Sequence, residues 1–219
     1  MHARLGSTWS VEVIWITAAL VRLDTDQGYT KAHRRRARYD FAVPGDTTLL
    51  LFVNGLRTPW LDPAMRFATE WGLYAFPIVL VLALAARRSR EEARTLRDGW
   101  LAFLLSLLVS ETVLKPILGR PRPTSVAWLR EQLSVLGTVP PAGSLGLPSG
   151  TATACMAGAT WIALRHGPRW GALAAALAIA LSFTRLYAGV HYPSDLLAGW
   201  LVGVATAVGV DRFSRWAGS

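Results

Sequence analysis

The sequence predicts an all-α membrane protein, a polytopic helical bundle with five to six transmembrane helices. Three observations predict this class. Of the 219 residues, 52% are hydrophobic and 17% are charged, whereas a soluble domain carries about 25% charged residues. The apolar residues form runs close to the roughly 17–25 residues that a membrane-spanning helix needs. Basic residues cluster between these runs, as they do where charge orients helices in a bilayer.

Five segments have the length and composition of spans, or nearly so. They lie at about 68–86, 98–115, 148–165, 169–185 and 194–211. Alternate connections are basic, with Arg87, Arg88, Arg90, Arg94 and Arg97 after the first span, Arg165, His166 and Arg169 between the third and fourth, and Arg212 and Arg215 after the last. The positive-inside rule assigns these connections to the cytoplasmic side. The connections at 116–147 and 186–193 then lie on the outer face.

The N-terminal part is less regular. We expect residues 1–45 to form an extension, within which the apolar stretch at 8–23 is short and includes Glu12. This stretch is a marginal sixth span, an amphipathic surface helix or part of an upstream extension. Residues 46–67 mix apolar and charged positions, as in an interfacial helix with a turn at Thr58–Pro59. The membrane domain is therefore predicted at 46–211, followed by a short basic cytoplasmic tail at 212–219.

Charge and cysteine content exclude several partners. The net charge of +9 comes mostly from short connections between apolar runs, which favours anionic lipid over nucleic acid. The single cysteine, Cys155, rules out an intramolecular disulfide and a cysteine metal cluster. Small residues along 151–160 and 172–180 predict that these helices pack closely.

The first polar motif is the stretch KPILGRPRP, which begins with Lys115 at the end of a span. Its prolines stiffen the backbone that carries Arg122. A guanidinium matches a phosphoryl group bidentately, and a lysine acts as a point charge. Glu111, one helical turn earlier, is positioned to hold the Lys115 ammonium. The alternative is that these cations reach towards lipid headgroups.

The second motif, Pro148–Ser149–Gly150, directly precedes an apolar helical run. Ser149 as cap and Gly150 without a side chain leave backbone N–H groups open to an anion. Taken alone, the tripeptide favours a simple helix cap over an anion site.

The third motif contains Arg185, His191 and Asp195. Pro193 and Ser194 are expected to start the last helix and place Asp195 in its first turn. Asp195 then reaches the His191 ring, and a carboxylate on Nδ1–H prepares Nε2 for nucleophilic attack. The alternative is a solvated loop histidine beside a helix-capping carboxylate.

Together, Lys-x6-Arg-Pro, Pro-Ser-Gly and Arg-x5-His-x3-Asp resemble the signature of the type 2 phosphatidic acid phosphatase superfamily. The resemblance implies that His191 is the nucleophile of a phosphohistidine mechanism and that Asp195 orients it. It also implies no metal and no cofactor. The phosphoryl-binding residues that it implies are Lys115, Arg122, Ser149, Gly150 and Arg185.

Thr151 departs from the family pattern, which has a leaving-group acid histidine after Pro-Ser-Gly. General acid catalysis contributes about 10²–10⁴-fold, and a threonine hydroxyl is no acid near neutral pH. A lipid alkoxide needs that proton. A phosphate group that leaves from a diphosphate does not need it, because the pKa of its last ionisation is about 6. We therefore expect a lipid diphosphate substrate, with a polyprenyl chain as the favoured lipid and Thr151 as a possible leaving-group contact.

Two other functions stay open at this stage. The same nucleophile serves a lipid monophosphate phosphatase or a phosphotransferase. The missing acid also allows a non-catalytic binder of lipid phosphates, although such a binder has no need for the His191–Asp195 pair. We expect an integral, multi-pass protein of a bacterial plasma membrane with its site facing outward. The sequence leaves the oligomeric state open.

Overall fold

The computed structural model describes residues 43–86 and 89–217. The stretch at 8–23 and most of the predicted extension lie outside the described residues. The helices are α1 (Asp46–Gly55), α2 (Asp62–Ala86), α3 (Arg90–Leu108), a π-helical turn (Val109–Leu114), α4 (Lys115–Leu118), a 3₁₀ turn (Pro123–Ser125), α5 (Ala127–Arg130), α6 (Gly150–His166), α7 (Pro168–Tyr187) and α8 (Pro193–Ala217).

Four of the five predicted spans lie within helical stretches of the structure, and the span predicted at 148–165 begins two residues before its helix, which starts at Gly150. Among the described residues, three stretches are long and apolar enough to cross a membrane, at Glu92–Leu118, Pro168–Tyr187 and Pro193–Ala217. The helix for the predicted span at 148–165 is α6, whose 17 residues extend about 25 Å. Its buried residues lie within the bundle, so its length is set by packing as much as by the bilayer.

Helix α6 forms the centre of the bundle and packs against α3, α7 and α8. Its alanines at positions 152, 154 and 157 have no exposed surface, as the small-residue pattern predicted. The close approach depends on α8 as well. A Cβ at Gly203 would lie 2.3 Å from the Thr153 carbonyl oxygen, and one at Gly199 would lie 2.8 Å from the Ser149 carbonyl oxygen.

The connection predicted at 116–147 is more ordered than a loop. The third helical stretch continues past Lys115 to Leu118, and the 3₁₀ turn and α5 follow. Pro121 pairs with Leu145 in an antiparallel bridge. The predicted turn at Thr58–Pro59 is confirmed, because α1 ends at Gly55 and α2 begins at Asp62.

Two polar regions mark opposite ends of the bundle. At one end, Arg165 lies 3.4 Å from Asp98 and 2.9 Å from Asp211, which joins α3, α6 and α8. The other end holds the three sequence motifs. Asp195 and Asp211 are both on α8, about 24 Å apart at the rise of an α-helix. This separation approaches the roughly 30 Å of a bilayer core.

Candidate active site

The three motifs, distant in sequence, meet at the N-terminal ends of α6 and α8. Arg122 Nη1 lies 3.0 Å from His191 Nε2, and His191 Nδ1 lies 3.2 Å from Asp195 Oδ2. The backbone N–H of Ser149 donates to the Asp195 carbonyl oxygen across 2.9 Å. The sequence-predicted nucleophile, its carboxylate partner, one cation and the helix start are therefore direct neighbours.

The contacts of His191 determine its tautomer. A guanidinium has only donors, so the Arg122 contact makes Nε2 the acceptor. Nδ1 then carries the hydrogen and donates to Asp195 Oδ2, which also accepts from the Tyr192 N–H at 2.9 Å. His191 and Asp195 are 2% and 0% exposed. In this tautomer the lone pair is on Nε2, which is the nitrogen able to attack once Arg122 no longer contacts it.

The environment of His191 keeps its ring neutral. Burial lowers the pKa of His191 well below its ordinary value of 6.5, and the positive charges of Arg122, Arg185 and Lys115 lower it further. A hydrogen bond with the Gly146 backbone acts in the opposite direction. A neutral imidazole at neutral pH is the form that a nucleophilic histidine requires.

Arg122 is held by its own backbone as well as by its side chain. Its N–H donates to the Ser144 carbonyl at 3.2 Å, and the Gly146 N–H donates to the Arg120 carbonyl at 2.8 Å. The side-chain Nε donates to the Leu145 carbonyl at 3.1 Å. The stiff segment expected from the prolines is therefore fixed by pairing between residues 120–122 and 144–146.

Lys115 is buried, with 6% of its surface exposed. Its ammonium contacts both carboxylate oxygens of Glu111 at 2.6 Å, as the spacing predicted. Glu111 belongs to the π-helical turn at Val109–Leu114, and such turns are frequent at functional sites. The Glu111 carboxylate is also close to α6, because a Cβ at Gly150 would lie 2.2 Å from its Oε1.

Ser149 occupies the N-cap position of α6, but its side chain forms no cap hydrogen bond. The simple-cap interpretation is therefore wrong for its hydroxyl. Ser149 Oγ and Arg185 Nε are buried atoms without a hydrogen-bond partner among the described residues. Arg185 lies in the last turn of α7, where its Nη1 donates to the Thr69 carbonyl at 2.9 Å. Both atoms can still donate a hydrogen bond to an anion.

Thr151 is the second residue of α6 and is partly exposed. It therefore belongs to the first turn of the helix whose start borders the Ser149 hydroxyl and the Glu111 carboxylate. The structure brings every sequence-predicted site residue to this end of the bundle.

Sequence reasoning missed a second set of residues behind Asp195. Arg120 Nη1 donates to Asp195 Oδ1 at 3.0 Å, and its Nη2 donates to Asp46 Oδ2 at 2.6 Å. Asp46 also accepts from the Ser194 N–H at 3.0 Å. Arg120 was visible in KPILGRPRP as a second arginine, but nothing near Asp46 in the sequence indicates this contact.

The arrangement suits phosphoryl transfer. It offers a neutral histidine with a defined tautomer, two arginines, a lysine and the open start of a helix. Such groups bind phosphoryl oxygens and stabilise the negative charge that spreads over them during transfer.

Comparison with known families agrees with this chemistry. A family model described as the PAP2 superfamily matches residues 99–218, which is more than half of the chain and includes all three motifs. The chain is 28% identical over 167 residues to a lipid A 4'-phosphatase of Bacteroides thetaiotaomicron, covering 75% of this chain and 74% of that protein. It is 29% identical over 160 residues to an undecaprenyl-diphosphatase of Sulfolobus acidocaldarius, covering 71% of each.

Solved structures show the same fold. The crystal structure of Aquifex aeolicus LpxE superposes with a TM-score of 0.60 and 26% identity, covering 79% of this chain and 97% of that one. A transmembrane PAP2-type phosphatidylglycerolphosphate phosphatase from Bacillus subtilis superposes with a TM-score of 0.56 and 21% identity, covering 93% of each chain. At that identity, the second likeness concerns the fold alone.

Proposed function

The chain belongs to the PAP2 superfamily, and we propose that it hydrolyses a lipid diphosphate through a phosphohistidine formed on His191. The family is one of membrane lipid phosphatases, so the protein is a hydrolase that acts at a membrane. The observation that carries the proposal is the alignment of His191 between Arg122 on Nε2, at 3.0 Å, and Asp195 on Nδ1, at 3.2 Å.

In the first step, His191 Nε2 attacks the terminal phosphorus and the bond from phosphorus to the bridging oxygen breaks. The lipid monophosphate departs with the electrons of that bond. Asp195 stabilises the imidazolium through Nδ1–H. In the second step, water attacks the phosphorus, the N–P bond breaks, and inorganic phosphate leaves with His191 neutral again.

The cations and the α6 start bind the phosphoryl oxygens in this proposal. Arg122 exchanges its contact with Nε2 for a phosphoryl oxygen, which frees the nucleophile. Arg185 and Lys115 supply further positive charge, and Ser149 Oγ with the Gly150 N–H completes the cradle. The unpartnered Ser149 Oγ and Arg185 Nε support this assignment, because buried polar atoms normally have partners.

Thr151 supports a diphosphate over a monophosphate. The protein has a hydroxyl where the family has an acid histidine, so a leaving group that departs unprotonated is favoured. The two curated relatives are named for each kind of substrate, one a phosphatase of lipid A and one a diphosphatase. The names alone therefore favour neither kind of substrate. The threonine in place of the acid histidine favours the diphosphate.

The proposal includes a topology. Five to six helices cross the plasma membrane of a bacterium, with the active site on the outer face. The basic residues Arg165 and Arg215, at the end opposite the site, support this orientation through the positive-inside rule. Labelling of single cysteines placed at 130 and 215 in intact cells tests it, since only the first is expected to react from outside.

A substrate panel tests the activity. Purified protein is given a polyprenyl diphosphate and the matching monophosphate side by side, with His191→Ala as control. We expect faster phosphate release from the diphosphate and none above background from His191→Ala. Faster release from the monophosphate would overturn the diphosphate assignment. No release from either lipid would favour a non-catalytic binder of lipid phosphates, for which the missing acid histidine is the supporting observation.

A further inference from the structure

We infer that Asp46 and Arg120 are positioning residues that fix Asp195, and through it His191, for attack on phosphorus. This inference rests on the proposed function and adds two side chains to it. Among the described residues, neither side chain forms a hydrogen bond or an ion pair with His191. They act on the carboxylate that His191 depends on.

The first support is the way in which Asp195 is held. Its Oδ2 accepts from His191 Nδ1 at 3.2 Å and from the Tyr192 N–H at 2.9 Å. Its other oxygen, Oδ1, accepts from Arg120 Nη1 at 3.0 Å. Both oxygens therefore accept hydrogen bonds, so the carboxylate cannot rotate without breaking one of them. The orientation of the His191 ring is fixed in consequence.

The second support is the way in which Arg120 itself is held. Its side chain is 3% exposed, and its guanidinium lies 4.1 Å above the Tyr192 ring. Its Nη2 donates to Asp46 at 2.6 Å, and its Nη1 also contacts the Ser194 hydroxyl. The planar guanidinium therefore bridges two buried carboxylates with different nitrogens, which a lysine ammonium does not reproduce.

The third support is the place of Asp46 in the chain. It is the first residue of α1, 4% exposed, and it accepts from the Ser194 N–H at 3.0 Å across 148 residues of sequence. Helix α1 is anchored independently at its other end, where Asn54 Nδ2 donates to the Tyr187 carbonyl at 2.8 Å. Asp46 thus joins α1, the Arg120 segment and the start of α8 directly behind the reacting histidine.

A merely structural ion pair and a positioning pair predict different kinetics. If Asp46 and Arg120 only stabilise the fold, their loss affects phosphate binding and turnover together, or neither. If they orient Asp195, turnover falls while the cations that bind phosphate remain in place. The two quantities to separate are kcat and the inhibition constant of inorganic phosphate, the product.

The experiment compares Asp46→Asn, Arg120→Lys and wild type on the lipid substrate that wild type turns over fastest. Arg130→Lys is the matched control, because Arg130 is an exposed arginine of α5 in the same connection. Thermal unfolding in detergent establishes that each variant is folded at the assay temperature. Should Asp46→Asn fail to fold, Arg120→Lys, which keeps the charge, carries the test.

We expect kcat to fall about 10- to 100-fold in both variants, the size of effect that a small misplacement of a reacting group produces. The inhibition constant of phosphate should stay within about two-fold of wild type, because neither substitution removes a residue that we propose binds phosphate. Arg130→Lys should match wild type. An unchanged kcat in a folded variant overturns the positioning role alone, as does an inhibition constant that rises in step with the kcat loss. Absence of turnover in wild type overturns the proposed function as well.

Discussion

The Arg122 guanidinium donates across 3.0 Å to His191 Nε2, the ring nitrogen that attacks phosphorus in the proposed mechanism. A cation that we propose binds phosphate therefore covers the electron pair of the proposed nucleophile. Arrival of a phosphoryl group offers Arg122 a charged acceptor in place of a neutral one, and charged acceptors bind more strongly. In the proposed mechanism, substrate binding therefore exposes the nucleophile.

The pH profile should reflect the neutral state of His191. Burial and three nearby cations lower the pKa of His191 well below 6.5. Attack requires the unprotonated ring, so a lowered pKa keeps the enzyme active to lower pH and moves the acidic limb of kcat/KM below 6.5. Lys115→Met removes one of the cations and should shift that limb upward on the same substrate. A wild-type limb at or above 6.5, or an unmoved limb in the variant, contradicts this account.

Thr151→His should change leaving-group preference. Restoring an acid beside the leaving group supplies the proton that an alkoxide needs, while a departing phosphate gains little. General acids contribute about 10²–10⁴-fold, so the ratio of monophosphate to diphosphate turnover should rise at least about ten-fold. Thr151→Ser, which keeps the hydroxyl, serves as the control. An unchanged ratio in Thr151→His would remove the basis for the diphosphate assignment.

Gly203→Val should destabilise the bundle, because a Cβ at Gly203 would lie 2.3 Å from the Thr153 carbonyl oxygen. Overpacking of this kind costs about 1–3 kcal/mol. Gly209→Val is a matched control on the same helix, since a Cβ there meets nothing within 4 Å. Thermal unfolding in detergent should show a lower Tm for the first variant only. Equal shifts would mean that helix propensity, and not close packing, determines the result.

Arg165→Met should weaken the end opposite the site. It leaves the carboxylates of Asp98 and Asp211, which are 5% and 6% exposed, without this guanidinium. Loss of one partner of a fully buried ion pair costs about 3–5 kcal/mol. We expect roughly 1–2 kcal/mol here, because Arg165 is 22% exposed and the two carboxylates keep Arg97 and Arg215 as partners. The measurement is thermal unfolding. Activity well below the Tm should stay near wild type, and loss of activity without loss of Tm would link this cluster to the site.

The contacts within each motif could be predicted because their residues are close in sequence. The spacing of His191 and Asp195 across a helix start already limits their separation, and Glu111 lies one turn from Lys115. The apolar runs likewise predicted the long helices.

The residues behind the site could not be predicted in this way. Asp46 reaches Ser194 across 148 residues, and no local pattern encodes that contact. That the Ser149 hydroxyl forms no cap hydrogen bond could not be predicted either, because a serine before a helix ordinarily caps it. These features arise from how α1, α6 and α8 pack together, and only tertiary structure reveals them.

Trapping the phosphoryl group on His191 is the most direct test of the proposed phosphohistidine mechanism. Purified protein is mixed with a polyprenyl diphosphate labelled with ³²P at the terminal phosphate, quenched in alkali to preserve a phosphohistidine, and digested for mass spectrometry. We predict acid-labile label on the peptide that contains His191, absent in His191→Ala and chased to inorganic phosphate in wild type. Phosphate release from the lipid with no label on His191 would contradict the account.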